Sequence, residues 1–206
     1  MNPPPGRAPA QDKLFDDLPS AWPEGLRYEE GFLDAGEEAA LLAQVAALPL
    51  APMQYRQYTA LRRVVSYGGK YDFGAQRLHD AAPIPDWLEP LRAKAAAWLR
   101  TAPQDFTQAL VAEYRPGTPL GWHRDVPDFE DVVGISLLNE AVLRFRPWPH
   151  ETGKKAEVVK LVVAPRSIYL LGGASRWAWQ HSVAPTKLLR YSITFRTFAQ
   201  RRVRGR

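Results

Sequence analysis

The chain reads as a mainly β, α+β protein, a double-stranded β-helix (jelly-roll) core preceded by two supporting helices. Three observations predict this. After Ala102 the sequence breaks into about eight short apolar or alternating runs separated by Gly, Pro and Asn, the spacing of a jelly roll. Before Ala102, two segments carry apolar residues at helical spacing. The 206 residues, with neither an internal repeat nor a second-domain signal, suit one sizeable core.

Residues 1–20, rich in Pro, Ala and Asp, are expected to form a mobile arm, and 21–200 a single domain. Leu26 to Phe32 reads as the strand that enters it. Asp34-x-x-Glu37 then has the form of a capping box, in which Asp34 accepts from first-turn amides. Leu41, Leu42, Val45 and Leu48 follow at helical spacing, and the helix should end at Pro49. Residues 50–77 place Tyr55, Tyr58, Tyr67, Tyr71 and Phe73 among Arg56, Arg62, Arg63, Lys70 and the pair Gly68-Gly69. Two readings stand for this stretch. One is an aromatic hairpin packed on the core. The other is a nucleobase grip, with bases stacked on rings and phosphates paired with Arg. Pro85 to Thr101 reads as a second amphipathic helix whose buried stripe is Trp87, Leu88, Leu91, Ala95, Trp98 and Leu99. Strands are placed near 109–115, 132–138, 142–147, 157–163, 167–171, 178–183 and 189–198.

Charged residues make up 24% and hydrophobic ones 46%, a globular balance. No apolar run approaches the roughly 20 residues of a membrane helix, and the first ten residues lack the apolar stretch of a secretory signal. The absence of cysteine excludes disulfides, fits a reducing cytoplasm and leaves any metal to His and carboxylate ligands. The net charge of +5 lies mostly in the tail 201–206. Removing Arg201, Arg202, Arg204 and Arg206 leaves 23 basic against 22 acidic residues. Two readings stand for this tail: contact with phosphate, and a solvated terminal segment.

The chemistry centres on Leu120-Gly-Trp-His-Arg-Asp-Val-Pro127. In an extended segment His123 and Asp125 face the same side, so an imidazole and a carboxylate can meet one cation. A second His would complete a 2-His-1-carboxylate set, which suits non-haem iron. There are four His in the chain: His79, His123, His150 and His181. His79 and His150 lack partners at informative spacing and read as loop histidines. His181 lies 58 residues after His123 and nine before Arg190-Tyr-Ser-Ile-Thr-Phe-Arg196. Polar residues at 190, 192, 194 and 196 alternate with apolar ones, which implies a polar cavity on one face of a strand.

This ordered set resembles the AlkB family of Fe(II)/2-oxoglutarate dioxygenases over roughly Val111 to Phe198, and more loosely from Arg62 onward. Tyr114-Arg-Pro-Gly117 and Gly172-Gly-Ala-Ser-Arg176 fit the same family. The resemblance implies Fe(II) held by His123, Asp125 and His181, with 2-oxoglutarate and O2 as cosubstrates. It assigns the distal carboxylate of 2-oxoglutarate to Arg190, whose planar fork suits bidentate pairing. Tyr114 would donate a phenolic hydrogen bond to the cosubstrate. Ser192 stands beside it where relatives often have Asn. Arg196 would lie near the keto-acid end and the metal-bound Asp. The resemblance also implies a nucleotide-recognition lid at 50–80 over a β-helix core at 105–198. Arg62, Arg63, Tyr67, Tyr71, Phe73, Trp122 and Asp128 are the expected substrate contacts.

The implied reaction is oxidative removal of an N-alkyl group from a base of DNA or RNA, releasing formaldehyde, succinate and CO2. The base must be flipped out or come from a single strand. A cytoplasmic monomer is expected. Pro127 stands where many repair members carry an acid, and Ala112 where some carry Asn. Two further readings therefore stand beside the first: the same oxygenase acting on a protein or small molecule, and a catalytically inactive jelly roll that binds nucleic acid.

Overall fold

The computed structural model describes residues 22–55, 58–72, 77–79, 81–149 and 157–199, with backbone alone at 53–55, 58–59, 70–72 and 77–79. The N-terminal half contains β1 (Leu26–Glu29), α1 (Ala35–Ala46), β2 (Ala51–Tyr55), β3 (Tyr58–Tyr67), β4 (Lys70–Asp72), β5 (Arg77–His79) and α2 (Glu89–Leu99). The C-terminal half contains β6 (Phe106–Tyr114), β7 (Leu120–His123), β8 (Phe129–Leu137), β9 (Ala141–Pro147), β10 (Val159–Val163) and β11 (Ile168–Leu171). The short helix α3 (Gly173–Trp177), β12 (Trp179–Val183) and β13 (Arg190–Phe198) complete it.

Two antiparallel sheets form the jelly roll. The larger has the order β1-β11-β8-β13-β6-β3-β2 and the smaller β10-β9-β12-β7, while β4 and β5 pair separately. Period-2 alternation sorts the central strands into two layers. Ala109, Val111, Val133, Ile135, Ile193 and Phe195 point to the helices, where they pack with Leu41, Val45, Leu88, Leu91 and Ala95. Ala112, Tyr114 and Val132 point the other way, toward Leu143, Phe145, Leu161 and Val183 of the smaller sheet. One layer is thus a helix-on-sheet core and the other a sheet-on-sheet core that houses the site.

The local signals explain the element ends. Glu37 N donates to Asp34 Oδ1 at 2.8 Å and Asp34 N donates to Glu37 Oε2 at 2.8 Å, so the capping box at α1 is reciprocal. The second helix opens with a 3-10 turn at Asp86–Leu88, and Arg100 closes it in the left-handed region at φ 64°. In β8, Gly134 leaves room for the Tyr169 ring, which would lie 2.1 Å from a Cβ there.

Several expectations are corrected. The first strand stops at Glu29, before the turn into α1. His79 ends a strand rather than lying in a loop. β3 pairs with both β2 and β6, so that strand joins the larger sheet. The 1–20 arm, the 201–206 tail, Arg56, Phe73 and His150 lie outside the described residues. Among the described residues no helix is long and apolar enough to cross a membrane.

Candidate metal and cosubstrate site

Strand pairing closes the 58-residue gap between the two histidines. β7 runs antiparallel to β12, and His123 and His181 are direct partners across it. Their rings lie 4.2 Å apart, tilted by 55°. His123 Nδ1 faces the carbonyl of Gly121 at 2.9 Å. A ring nitrogen facing a carbonyl carries the proton, so Nε2 presents its lone pair. Asp125 lies two residues beyond the end of β7. Its Oδ1 accepts from Arg196 Nη2 at 3.2 Å, while its Oδ2 is buried without a hydrogen-bond partner.

The electrostatics ready these groups for a cation. Burial pushes His181 down to about 3, with His123 adding to the effect, and burial likewise lowers His123. Both rings are therefore neutral at pH 7. Burial alone would raise Asp125, but the Arg196 guanidinium beside it holds it well below the usual carboxylate range. Neutral imidazoles and an ionised carboxylate are the forms that bind metal. Among the described residues no three His, Asp or Glu side chains already form one coordination sphere. The donor types, the adjacent rings and the unsatisfied Oδ2 nevertheless fit a divalent metal such as iron.

The expected polar face of β13 is present. Arg190, Ser192, Thr194 and Arg196 all line one cavity with His123, Asp125 and His181. The cavity has about 480 Å³ of space, counting its open mouth. Arg190 is 1% exposed. Its Nε donates to Ser136 Oγ at 3.0 Å, its guanidinium stacks 5.1 Å from the Tyr114 ring centre, and its Nη2 is buried without a partner. An unsatisfied buried donor is costly, on the order of 1–3 kcal/mol, so the site favours a ligand that brings an acceptor. A carboxylate suits it. Arg196 is anchored on its other side, where Nη1 donates to Gln108 Oε1 at 2.8 Å. Burial resists ionisation of the Tyr114 phenol, yet the guanidiniums of Arg62 and Arg190 outweigh that and lower it.

The expected substrate contacts divide. Arg62 lines the cavity, and its Nη1 donates to the Tyr114 hydroxyl at 3.3 Å. Arg63 and Tyr67 sit elsewhere. Arg63 pairs with Glu113 at 3.0 Å and donates to Leu50 O at 2.6 Å, while Tyr67 packs on the helix-facing core. Both are one residue out of phase with Arg62 on β3, so the pleat turns them away. Trp122 lies under Arg144 and Arg146 on the outer face of the smaller sheet. Asp128 is exposed, and its carbonyl accepts from Ala199. The side chain of Tyr71 lies outside the described residues.

Sequence reasoning missed Ser136, Gln108 and Tyr169. Each is a polar residue on the cavity side of its strand, and for Gln108 and Tyr169 that parity was the available signal. It also missed the role of Arg176. This buried side chain donates to Val126 O at 2.7 Å and Phe129 O at 2.8 Å, holding the loop that carries Asp125.

Comparison with known proteins adds the family. The model of the 2OG-Fe(II) oxygenase superfamily matches residues 25–196. The Alkylated DNA repair protein ALKBH8 homolog of Arabidopsis thaliana is 27% identical over 211 residues, which cover 88% of this chain and 59% of that protein. The tRNA (carboxymethyluridine(34)-5-O)-methyltransferase ALKBH8 of Macaca fascicularis is 28% identical over 175 residues, 82% of this chain and 26% of that protein. The chain thus spans about a quarter to three-fifths of the length of these relatives. Among solved structures, OsALKBH1 superposes with TM-score 0.61 at 17% identity, covering 86% of this chain and 98% of that one. The match along most of the chain and the shared jelly-roll architecture agree: this chain belongs to the 2OG-Fe(II) oxygenase superfamily, as an AlkB-family member.

Proposed function

We propose that the chain oxidatively dealkylates N-alkylated bases in DNA or RNA. One observation carries the reading: His123, Asp125, His181, Arg190 and Arg196 line a single cavity. In this reading His123 and His181 bind Fe(II) through neutral imidazoles and Asp125 through its carboxylate. Arg190 turns its unpaired Nη2 to the distal carboxylate of 2-oxoglutarate. Tyr114 and Ser192 flank that carboxylate, and Arg196 orients Asp125. When bound, Fe(II) with 2-oxoglutarate and O2 supplies the oxidation of a substrate C–H bond, with succinate and CO2 as by-products. The chain's own task is to hold these parties together and to exclude bulk water with the apolar wall of Leu143, Val183 and Leu171.

Nucleic acid as substrate is supported by the name of the Arabidopsis relative, an alkylated DNA repair protein, and by that of the macaque relative, a tRNA methyltransferase. The test is full-length protein with Fe(II), 2-oxoglutarate, ascorbate and oligonucleotides bearing 1-methyladenine or 3-methylcytosine. Loss of one methyl mass with release of formaldehyde is expected. Succinate formation with no methyl loss on any DNA or RNA strand would transfer the activity to a protein or small-molecule substrate. The exposed position of Asp128, away from the cavity, is the observation that favours that second reading.

A further inference from the structure

We propose that the outer face of the smaller sheet binds a single nucleic-acid strand, holding its phosphates while the target base reaches the cavity around the β7 edge. The proposal rests on the nucleic-acid reading above and names a second contact surface for that substrate.

Alternation on β9 is strict. Leu143 and Phe145 are buried, and Arg144 and Arg146 stand half-exposed on the opposite face. Lys160 on β10 is the direct cross-strand partner of Arg144 and is exposed. Like charges placed opposite each other in a sheet repel. Among the described residues none of these three cations is in an ion pair. Their anchors are neutral instead. Arg144 Nε donates to Ser182 Oγ at 3.0 Å, and Arg146 Nε donates to Gln180 Oε1 at 2.8 Å. Each arginine is thus fixed through Nε, with its terminal nitrogens left to meet an anion. A phosphate placed among the three would neutralise a repulsion the fold otherwise carries.

The aromatics narrow the class of anion. Both guanidiniums lie over the Trp122 ring, at 5.3 and 4.5 Å from its centre. Arg124 lies 5.3 Å over Trp148, which is 39% exposed. Arginine forks beside indole faces suit a chain that offers phosphates and stackable bases together. Trp122 directly precedes His123, and β7 is the edge strand of its sheet. The patch and the histidine pair therefore flank one edge, so a strand seated on the first leads to the second.

The test uses full-length protein and fluorescence anisotropy with labelled, unmodified single-stranded DNA and RNA of about 15 nucleotides, within the span such surfaces cover. Wild type is compared with the double variant Arg144→Gln/Arg146→Gln and with Lys160→Gln, an exposed change that leaves packing intact. The double variant should bind about tenfold more weakly. The slope of log affinity against log salt should shrink by about 0.7 for each charge removed. Succinate formation without nucleic acid should be unchanged, because these side chains lie on the far face from the cavity. Wild-type affinity and slope in the variants, with methyl removal intact, would overturn the patch and leave the dealkylase reading standing. No binding of any strand by wild type, together with no methyl removal, would overturn both. Displacement by polyglutamate as effective as by oligonucleotide would assign the face to an acidic protein and overturn the proposal. If the double variant does not fold, the salt slope of Lys160→Gln decides.

Discussion

Arg190 has two bonding directions with different fates. Its Nε is satisfied by Ser136, and its Nη2 waits for an acceptor. Arg190→Ala should weaken 2-oxoglutarate binding by about 10- to 100-fold, the loss of a charge-assisted hydrogen bond worth about 1.5–3 kcal/mol. Metal affinity should stay near wild type. Separate titrations with Mn(II) and with 2-oxoglutarate check this, and unchanged cosubstrate affinity would remove Arg190 from the role. Ser136→Ala should act in the same direction but more weakly, since it only loosens the fork. Arg190 itself was legible in the sequence, because a charged residue alternating with Ile and Phe on a buried strand must face something polar. Ser136 was not, because a single hydroxyl in an apolar run is equally consistent with a residue bonded to its own backbone.

At the scale of elements, α3 ties down the loop that carries Asp125. Arg176 reaches two carbonyls of that loop. Arg124 Nη1 donates to Trp177 O at 3.0 Å, and Trp177 Nε1 donates to Glu130 Oε1 at 2.8 Å. Arg176→Met keeps the side chain's bulk and removes the donors. It should lower metal affinity by about 10- to 100-fold, the usual range for a partner that orients a ligand, with the far-ultraviolet dichroism preserved. Wild-type metal affinity in this variant would show that the loop holds itself. Neither α3 nor β7 was placed by periodicity. Five and four residues are too few to display a repeat, and both depend on neighbours: β7 on pairing with β12, α3 on the contacts of Arg176. The long helices were readable, because α1 and α2 each show several apolar residues on one face and α1 has a capping box at its start.

For the whole molecule, the buried histidine predicts how the metal-free protein responds to acid. His181 holds a folded-state value of about 3 against roughly 6.5 for a free imidazole. Between those values the unfolded chain binds a proton that the folded chain refuses, so stability falls as pH drops below about 6.5. Asp125 is also depressed, so its stabilisation persists to lower pH and is lost only as acid finally protonates it. The melting temperature of metal-free protein should therefore decline as pH is lowered from about 7.5 to 5, and His181→Gln should flatten that decline over the same range. A wild-type Tm that is flat with pH would place the ring in contact with water. The sequence by itself determined the class of fold and named the candidate ligands and the arginine pair, because residue type and strand alternation are local properties. Tertiary structure alone decided which of the aromatic and basic residues reach the cavity. Arg62 does, while Arg63 and Tyr67 turn to the helices and Trp122 to the outer face. A single step along a pleated strand reverses a side chain's direction, and the register that fixes each step comes from hydrogen bonds to a strand distant in the chain.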